Sequence, residues 1–475
     1  MSVQYCGYEW LKRMYQLDVD SPSPVAKIGG AKGPDFRIYR PIYQPEDSLA
    51  GHLLFALKHE ALNLGLLKAL FHACDPAELE QWIRGNPQGL QTRRAWFFYE
   101  WLTCKTLNLP DADSRFRYVN ALDKKAYYTA EPVNSPRHKV RDNMPGVPGF
   151  CWLVRKSEIM QEFDAKQLHQ QMKDTYASHP MIGRAEAFLL TKDSQSSFEI
   201  EKEKFDTRAV RWMKTVRAFM GSRLNDGKLF EMQKQLVSNP DNGWRTDFGW
   251  IGDRLPDATP LPEHISVHPD SLKTLMGAWL AAYERMYNCH GVAAATALAY
   301  GFIIIHPFSD GNGRIHRFLL QQLGKVPVSS ELLENMDAYI TSLKALSAPI
   351  LDRSEWTVTA DYNVELLNDK TELYRYADVT EQAEFIYQCM QQFVTLRLPR
   401  ELAYLSAFDE AKQIIDEQHG MPDKDLTLLV NLCAQNGGSL SKTKRKLFGM
   451  LSDEDIAFAE KAVGKSFADY FGMKT

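Results

Sequence analysis

The hydrophobic positions of this chain recur mostly at helical spacing. Leu49, Leu53 and Leu57 share one helix face behind a cap at Asp47-Ser48, and a second helix opens at Asp75-Pro76. Helical patterns of the same kind cover residues 93–107, 158–176, 184–204, 208–220, 229–237 and 334–343. The pattern therefore predicts a mainly α protein.

The most apolar stretch, residues 293–305, predicts a buried helix that ends at His306. Pro307 disfavours helical backbone at the residue before it and has no amide hydrogen, so the helix cannot continue. The segment that follows, HPFSDGNGRIHR, is dense in charged and turn-forming residues. This density at a helix end marks the segment as a candidate site.

Several regions depart from the helical pattern. Residues 1–45 are rich in Gly and Pro and predict an irregular surface arm, and residues 118–157 predict extended, turn-rich structure. Two β-capable pieces, residues 248–251 and 264–268, predict a hairpin beside the helical core. From about residue 356 onward the chain is again predicted to be helical.

A short basic string, Arg137, His138, Lys139 and Arg141, lies within the turn-rich region. A solvated loop is the ordinary interpretation of such a string, and a basic substrate patch is the alternative.

The overall charge gives no reason to expect a nucleic-acid partner. Lys and Arg number 56, Asp and Glu number 60, and the formal net charge is −4. The seven cysteines are scattered without a CxxC pair or metal-ligand spacing, which fits a reducing, cytoplasmic location. The N-terminus has no apolar signal core, and no apolar stretch reaches the roughly 20 residues that cross a bilayer, so we expect no membrane partner.

The glycines of the candidate segment predict a phosphate-binding loop. Gly311 and Gly313 can take positive φ, so backbone amides around Asn312 can converge into an anion nest. The helix that opens near Arg314 adds its positive N-terminal end. Arg314 and Arg317 are three positions apart and share one helix face, so both can reach one polyphosphate.

Two further residues supply the remaining chemistry. Asp310 lies beside the nest, where a carboxylate oxygen suits Mg²⁺ that bridges phosphate oxygens. The imidazole of His306 belongs to the side-chain type that ordinarily accepts a proton near neutral pH. A base, a metal ligand and paired arginines around one nest suffice for phosphoryl-type transfer, which depends mostly on positioning and charge neutralisation.

HPFSDGNGRIHR resembles the motif of Fic-domain proteins, H-P-F-x-[DE]-G-N-G-R-x-x-R, at every fixed position. The resemblance implies a helical core that transfers AMP from ATP to a Tyr, Thr or Ser hydroxyl of a target protein and releases pyrophosphate. It makes His306 the base and Asp310 the Mg²⁺ ligand. The phosphate-binding residues that it implies are Gly311, Asn312, Gly313, Arg314 and Arg317.

The resemblance also covers the predicted hairpin and one later helix. The hairpin, at about residues 245–269, resembles the flap, which pairs with the backbone of the target in Fic proteins. Asn335 and Tyr339 are in register with residues that line the adenine in many Fic proteins, whereas Met336 and Ile340 depart from that pattern.

A predicted helix at about residues 185–204 resembles the inhibitory helix of many Fic proteins, written [ST]-x-x-x-E-[GN]. Ser197 and Glu201 match the motif, and Lys202 replaces its Gly or Asn. In that motif the Glu pairs with the second motif arginine, here Arg317, and blocks the γ-phosphate. The resemblance thus implies an autoinhibited enzyme.

We predict three regions: an N-terminal arm with mixed helical and extended structure (1–157), a Fic core (158–350) and a helical extension (351–475). Two helices around Gly437-Gly438 with nearby Lys and Arg are similar to a helix-turn-helix. The alternative functions are removal of AMP or transfer of another phosphate-containing group, and a DNA-binding regulator. The expected partner is a target protein that docks at the flap; self-modification, a nucleic acid and a homodimer are further alternatives.

Overall fold

The computed structural model describes residues 4–30, 33–166, 168–176, 182–203 and 207–473. Its architecture is mainly α with a few short strands, which confirms the predicted fold class. Within the described residues, no helix combines the length and the apolar character needed to cross a lipid bilayer.

The N-terminal region contains short strands and helices, and two of the helices begin at the predicted capping residues. The elements are β1 (Gln4–Tyr5), α1 (Gly7–Met14), β2 (Val25–Ile28), β3 (Phe36–Tyr39), α2 (Leu49–His59), α3 (Leu64–Ala73), α4 (Pro76–Gly85), α5 (Leu90–Thr103), β4 (Val119–Asn120), β5 (Val133–Ser135) and β6 (Val140–Asp142). Ser48 Oγ caps α2 by accepting from Gly51 N at 3.1 Å, and Asp75 Oδ1 caps α4 by accepting from Ala77 N at 2.9 Å. Both predicted caps are confirmed.

The prediction of an irregular arm at residues 1–45 is wrong for much of its length. Strand β2 pairs antiparallel with β1 and parallel with β3. Helix α1 buries Tyr8 and Leu11 completely, and Glu60 accepts from Tyr8 N at 3.1 Å. The glycines do form turns, with φ 68° at Gly29 and 99° at Gly30, but the strands between the turns are too short to give a period-two pattern.

The middle of the chain holds the predicted helices and the predicted hairpin. The elements are α6 (Glu158–Lys166), α7 (Leu168–Tyr176), α8 (Ile182–Ile200), α9 (Thr207–Phe219), α10 (Asp226–Leu236), β7 (Trp250–Arg254), β8 (Pro260–Ile265), α11 (Pro269–Met286), α12 (Gly291–Ile305), α13 (Asn312–Gly324), α14 (Ser329–Glu334) and α15 (Met336–Leu351). The strands lie closer to the hairpin loop than predicted, because Pro260 and Pro262 obscure β8 in the sequence.

The C-terminal region is helical except at its start. The elements are β9 (Trp356–Val358), β10 (Val364–Leu366), α16 (Glu372–Arg375), α17 (Thr380–Gln392), α18 (Leu398–His419), α19 (Asp423–Gln435), α20 (Lys442–Arg445), α21 (Asp453–Ser466) and α22 (Ala468–Gly472), with a π-helical turn at Phe393–Arg397. Strands β9 and β10 pair antiparallel as a second hairpin. The prediction of helix from residue 356 is therefore wrong for this hairpin.

The chain divides into two compact units that alternate along the sequence. The first comprises the described residues of Met1–Asp164, Phe205–Lys325 and Asn335–Tyr387, and the second those of Ala165–Lys204, Val326–Glu334 and Gln388–Thr475. The three-region division made from the sequence remains a prediction.

Each unit has a buried core. In the first unit, Trp279 of α11 and Phe302 of α12 pack with ring centroids 5.5 Å apart, and α12 runs against α13. In the second unit, α18, α19 and α21 enclose a cluster that includes Phe408, Leu429 and Val463. The candidate segment lies in the first unit, between α12 and α13.

Candidate active site

The candidate site begins at the end of α12, whose residues from Val292 to Ile305 are all buried. His306 ends the helix in left-handed backbone, at φ 55° and ψ 63°, and its N–H donates to Phe302 O at 2.9 Å. Left-handed backbone costs a non-glycine residue about 1–2 kcal/mol. Contacts from elsewhere in the fold must therefore hold this turn.

The imidazole of His306 is oriented by the helix that it ends. Its Nδ1 lies 3.3 Å from the carbonyl oxygen of Ile303. Because a carbonyl oxygen can only accept, this contact favours the proton on Nδ1 and places the ring lone pair on Nε2. Nε2 is thus the atom that can take a proton from an incoming hydroxyl.

Arg245 holds the His306 turn from outside the motif. Its Nε donates to His306 O at 2.8 Å, and its backbone N–H donates to Pro307 O at 3.0 Å. Its terminal nitrogens donate to Asp247 O at 2.6 Å and Val267 O at 2.5 Å. Burial lowers the pKa of this guanidinium to about 10, which still leaves it charged at neutral pH.

Asp241 fixes the next part of the loop. Its two carboxylate oxygens accept from the N–H and the hydroxyl of Ser309, each at 2.8 Å. Gln233 of α10 in turn donates to Asp241 Oδ2 at 2.8 Å and accepts from Asp241 N at 3.0 Å. The loop is therefore anchored to α10 through side-chain hydrogen bonds.

Asn312 closes the loop from within. Its Nδ2 donates to Phe308 O at 2.7 Å, and its Oδ1 accepts from Phe308 N at 3.0 Å. Both polar groups of this side chain are thus bonded inside the loop. Any contribution of Asn312 to phosphate binding would come through its backbone.

Gly311 is the N-cap residue of α13, and its backbone is left-handed at φ 91°. A Cβ at this glycine would meet Leu236 at 3.4 Å, an ordinary contact distance, so a larger residue would be disfavoured by the backbone conformation. The amides that follow, including that of Gly313, open the first turn of α13, where N–H groups lack intrahelical partners. This is the geometry of an anion site.

Asp310 and Arg314 lie together at this helix start, and Arg317 is buried further along α13. Asp310 Oδ1 accepts from Gly311 N at 2.6 Å and lies 3.4 Å from Nη2 of Arg314. The Asp310 side chain is 62% exposed, whereas Arg314 and Arg317 are each only 2% exposed. The buried guanidinium of Arg314 beside the exposed carboxylate of Asp310 places a positive charge inside the site and an oxygen ligand at its surface.

Asp310 fits a magnesium ion held mainly by phosphates. Both of its contacts use Oδ1, which leaves Oδ2 without a hydrogen bond in the described residues. No group of three or more His, Cys, Asp or Glu suited to a metal occurs in the part of the chain that the structure describes. Mg²⁺ in nucleotide sites commonly takes one or two carboxylates plus phosphate oxygens, so a single Asp is compatible.

His264 is a second histidine near the candidate base. Its ring centroid lies 6.2 Å from that of His306, and its Nδ1 lies 3.0 Å from Ser347 Oγ. Burial lowers the pKa of His264 to about 3, and the neighbouring His306 and the charge of Arg245 act in the same direction. The residue is therefore neutral at physiological pH and adds no positive charge beside His306.

The predicted adenine-side residues lie at the start of α15. Asn335 precedes the first residue of that helix and is half-buried. Tyr339 is buried and stacks on His316 of α13, with ring centroids 6.0 Å apart, and His316 Nδ1 lies 2.8 Å from Ala299 O. Tyr339 thus belongs to the packing that fixes α13.

The predicted flap is the hairpin of β7 and β8, paired from Trp250 with Ile265 to Arg254 with Pro260. Its strand β7 is largely exposed. The second hairpin supports it, because Trp250 Nε1 donates to Asn363 Oδ1 at 2.8 Å and Arg254 donates to the carbonyl of Tyr362. The predicted hairpin is confirmed, its role as a flap stays a prediction, and its support by the second hairpin was not predicted.

The predicted inhibitory residues lie at the end of α8, in the second unit. Ser197 is buried, and Glu201 is exposed in the turn directly after the last helical residue, Ile200. Lys202 takes left-handed backbone at φ 57°. The sequence analysis had Glu201 inside the helix; the structure ends α8 one residue earlier.

Arg245, Asp241 and His264 are the site residues that sequence reasoning missed. Asp241 lies in a Pro-Asp-Asn-Gly stretch that looks like an ordinary turn. Arg245 binds backbone carbonyls, which every residue type has, so no complementary side chain marks its partners. Only the hairpin prediction, which placed His264 in a strand beside the site, gave a partial signal.

Known proteins resemble part of this chain in sequence. Residues 223–323 match the Fic/DOC family model. The protein adenylyltransferase Fic of Culex quinquefasciatus is 43% identical over 63 residues, which is 13% of this chain and 12% of that protein. The match thus covers well under two thirds of the curated relative.

Two solved structures are also similar. A Fic family protein from Desulfovibrio desulfuricans G20 is 16% identical, with a TM-score of 0.36, over 66% of this chain and 87% of that one. A Fic domain containing signaling protein from Bacteroides thetaiotaomicron VPI-5482 is 15% identical, with a TM-score of 0.32, over 48% of this chain and 94% of that one.

Proposed function

We propose that this chain, whose residues 223–323 match the Fic/DOC family model, is a protein adenylyltransferase, which moves AMP from ATP to a Tyr, Thr or Ser hydroxyl of a target protein. The observation that carries the proposal is the complete motif from His306 to Arg317, placed on one turn and one helix start. The name of the Culex quinquefasciatus relative supports the same reaction.

The reaction we propose is a single in-line displacement. The hydroxyl oxygen of the target attacks the α-phosphorus of ATP, and the bond from that phosphorus to the oxygen bridging to the β-phosphate breaks. Pyrophosphate leaves, and the hydroxyl proton passes to Nε2 of His306. A base held within hydrogen-bond reach of the hydroxyl typically contributes about 10²–10⁴-fold.

The start of α13 would hold the polyphosphate. Its free amides and the buried Arg314 and Arg317 offer fixed positive charge, which is most of what phosphoryl-type transfer requires. Asp310 would hold Mg²⁺ together with phosphate oxygens, and the ion would neutralise charge there. Asn335 and Tyr339 would border the adenine.

We extend the proposal to control and to the partner. Glu201, with Ser197 in the same motif, would pair with Arg317 and deny that guanidinium to the γ-phosphate. The partner would be a protein whose hydroxyl-bearing segment pairs with the flap, and the enzyme itself would be one such substrate. A cytoplasmic location, where ATP is present, suits this reaction.

Labelled ATP tests the proposal. Incubation with cell lysate, Mg²⁺ and ATP labelled at the α position should label protein, while ATP labelled at the γ position should not. Intact mass should rise by one AMP less one water on each modified chain. Label from the γ position alone would contradict the proposal in favour of a kinase, and loss of AMP from a modified target would favour the reverse reaction.

A further inference from the structure

A cavity of about 660 Å³ lies in the N-terminal part of the first unit. Its walls come from residues between Arg37 and Arg155, so no residue of the 306–317 motif contributes to it. This volume lies within the range of about 300–1,000 Å³ that small-molecule sites occupy. The proposed transfer reaction makes no use of it.

The charged side chains of this cavity are mostly basic. Its cationic residues are Arg37, Lys58, Arg94, Arg141 and Arg155, and its acidic residues are Glu60 and Asp123. Arg155 is paired with Asp378, its Nε lying 2.6 Å from Asp378 Oδ2, so the other four cations carry the uncompensated charge. Burial raises the pKa of Glu60 to about 8, so this carboxyl is largely uncharged at neutral pH. The cavity therefore has an excess of positive charge, which suits a ligand with more than one negative charge.

Arg94 is the fixed cation of the cavity, with only 8% of the residue exposed. Its Nε donates to Ala121 O at 2.8 Å, and its Nη1 donates to Leu57 O at 3.2 Å and to Gln91 Oε1 at 2.8 Å. All three acceptors are neutral. Its Nη2 makes no hydrogen bond, and no carboxylate forms an ion pair with Arg94, in the described residues.

Arg141 is connected to Arg94 through Ala121, because both residues make a hydrogen bond to the backbone of Ala121. Ala121, whose carbonyl accepts from Arg94, donates its own N–H to Arg141 O at 2.9 Å. The Arg141 side chain is exposed, lines the cavity and has no ion pair among the residues described. A buried, positioned guanidinium and an accessible one can together bind a phosphate, with several N–H donors for its oxygens.

The residues of the basic string at 137–141 have different environments in the structure. Arg137 Nη2 and His138 Nε2 are bound to the carboxylate of Glu100, at 2.9 and 3.0 Å. These two residues are structural. Of the four residues in the string, Arg141 alone lines the cavity, so a binding role is proposed for this residue only.

Other parts of the cavity wall are apolar or aromatic. Leu57, Leu62, Leu90 and Leu122 line the cavity, and Tyr118 adds an aromatic ring 5.9 Å from the guanidinium carbon of Arg141. Such a surface favours an apolar or aromatic moiety over a bare inorganic ion. The cavity thus combines anion-binding and apolar parts.

We propose that this cavity binds a phosphate-bearing organic molecule of mononucleotide size, with its phosphate between Arg94 and Arg141 and its ring against the leucines and Tyr118. The site is distinct from the one that would hold ATP at α13. Its occupant is identified by this chemistry and not by any role in AMP transfer.

Arginine footprinting tests the proposal at single-residue resolution. The full chain is treated with phenylglyoxal, with and without AMP, inorganic phosphate or adenosine, and modification is read peptide by peptide by mass spectrometry. We expect AMP to protect Arg141 at much lower concentration than inorganic phosphate does, and adenosine to give no protection. Because the readout is local, binding of AMP at α13 does not interfere.

A matched pair of variants provides the second measurement. Arg141→Gln should weaken AMP binding in the cavity by about 10- to 100-fold, as expected for loss of a charge-assisted hydrogen bond. Arg117→Gln removes the same charge from an exposed arginine of the preceding loop that does not line the cavity, and it should leave binding unchanged. Calorimetry of both folded variants compares them.

Three results would overturn the proposal. These are equal modification of Arg141 with and without AMP, equal potency of AMP and inorganic phosphate, and equal loss of affinity in Arg141→Gln and Arg117→Gln. Failure of AMP transfer would not affect it, because the footprint at Arg141 does not depend on activity.

Discussion

Helices α12 and α8 both end in left-handed backbone without a glycine, but they are held differently. At His306, with φ 55°, the side chain of Arg245 and the Pro307 carbonyl contact fix the turn from a distant segment. At Lys202, with φ 57°, the end is closed by its own backbone: Lys202 N donates to Glu199 O and Glu203 N to Phe198 O. The second arrangement is the usual glycine-type helix end.

The backbone strain at His306 has a role in the candidate site, whereas no such role is assigned to the strain at Lys202. The left-handed turn at His306 directs an imidazole into the candidate site, and Arg245 stabilises it. Lys202 stands where the inhibitory motif has Gly or Asn, the residues that adopt left-handed backbone at least cost. Lys202 adopts this backbone conformation at that cost.

The largest effect is expected at the braced end. His306→Gly relieves the backbone strain and His306→Ala does not, yet both should reduce AMP transfer by about 10²–10⁴-fold, because both remove the base. Transfer to a target or to the enzyme itself is measured with α-labelled ATP. ATP affinity should stay near that of the wild type, and full activity in either variant would refute the role of His306.

Loss of the brace should come next. Arg245→Gln leaves carbonyls of the His306 turn unpaired and lets the imidazole shift, so kcat should fall by about 10²-fold. KM for ATP should change little, because Arg245 contacts the turn and not the start of α13. Arg223→Gln, which removes an exposed arginine of the same unit, is the control. A rise in KM with unchanged kcat would contradict the positioning role.

The sequence predicted the motif residues of the candidate site but not the residues that hold the motif in place. The motif from His306 to Arg317 is contiguous, so its residues identify each other by their spacing. Arg245 lies 61 positions before His306 and donates to carbonyls, and Asp241 reaches Ser309 across 68 positions. Such contacts arise from tertiary packing and leave no local pattern.

The fold shows the same division between local and distant information. Helices α2 and α4 were predicted with their caps, because capping is a local hydrogen bond. The hairpin of β9 and β10 was missed, because three-residue strands give too few alternations and their stability comes from neighbours. The domain boundaries remain predictions.

At the α8 end, Glu201→Gly tests the proposed inhibition. If Glu201 withholds Arg317 from the γ-phosphate, the substitution should raise transfer and self-modification by about 5- to 150-fold, the usual range of a coupling free energy. Glu199→Gly, two residues earlier and within α8, is the control for loss of an acidic side chain. Unchanged ATP affinity and transfer rate in folded Glu201→Gly would reduce this residue to a surface charge.

Acid should weaken the His306 end through His264. Its folded pKa of about 3 lies below the unfolded value of about 6.5, so its contribution to stability is present above the unfolded pKa and is lost as pH falls toward the folded one. Across that window this residue should change the free energy of unfolding by about 1.4 kcal/mol per pH unit. Denaturant titrations at several pH values give the free energy of unfolding of the wild type and of His264→Asn. Plotted against pH, this free energy should change more steeply for the wild type between the two pKa values. Equal dependence on pH in the two proteins would contradict the prediction.

The smallest effect is expected from relieving the backbone strain at Lys202, at the end of α8. Lys202→Gly should stabilise the last turn of α8 by about 1 kcal/mol, since glycine adopts its backbone without strain. Hydrogen exchange at the amides of Lys202 and Glu203 measures this locally. Slower exchange is expected, and faster exchange would show that the lysine side chain supports the turn.

The link between the two hairpins affects how a partner could bind. A two-stranded hairpin alone is marginally stable in water, but Asn363 and Tyr362 already hold Trp250 and Arg254 of β7 in place. Binding of a segment to β7 would therefore order that segment, whereas the proposed flap is already ordered. Each flap residue that is fixed before binding saves about 1–2 kcal/mol of backbone conformational entropy. The loop of β9 and β10 would then tune affinity for a target without touching it.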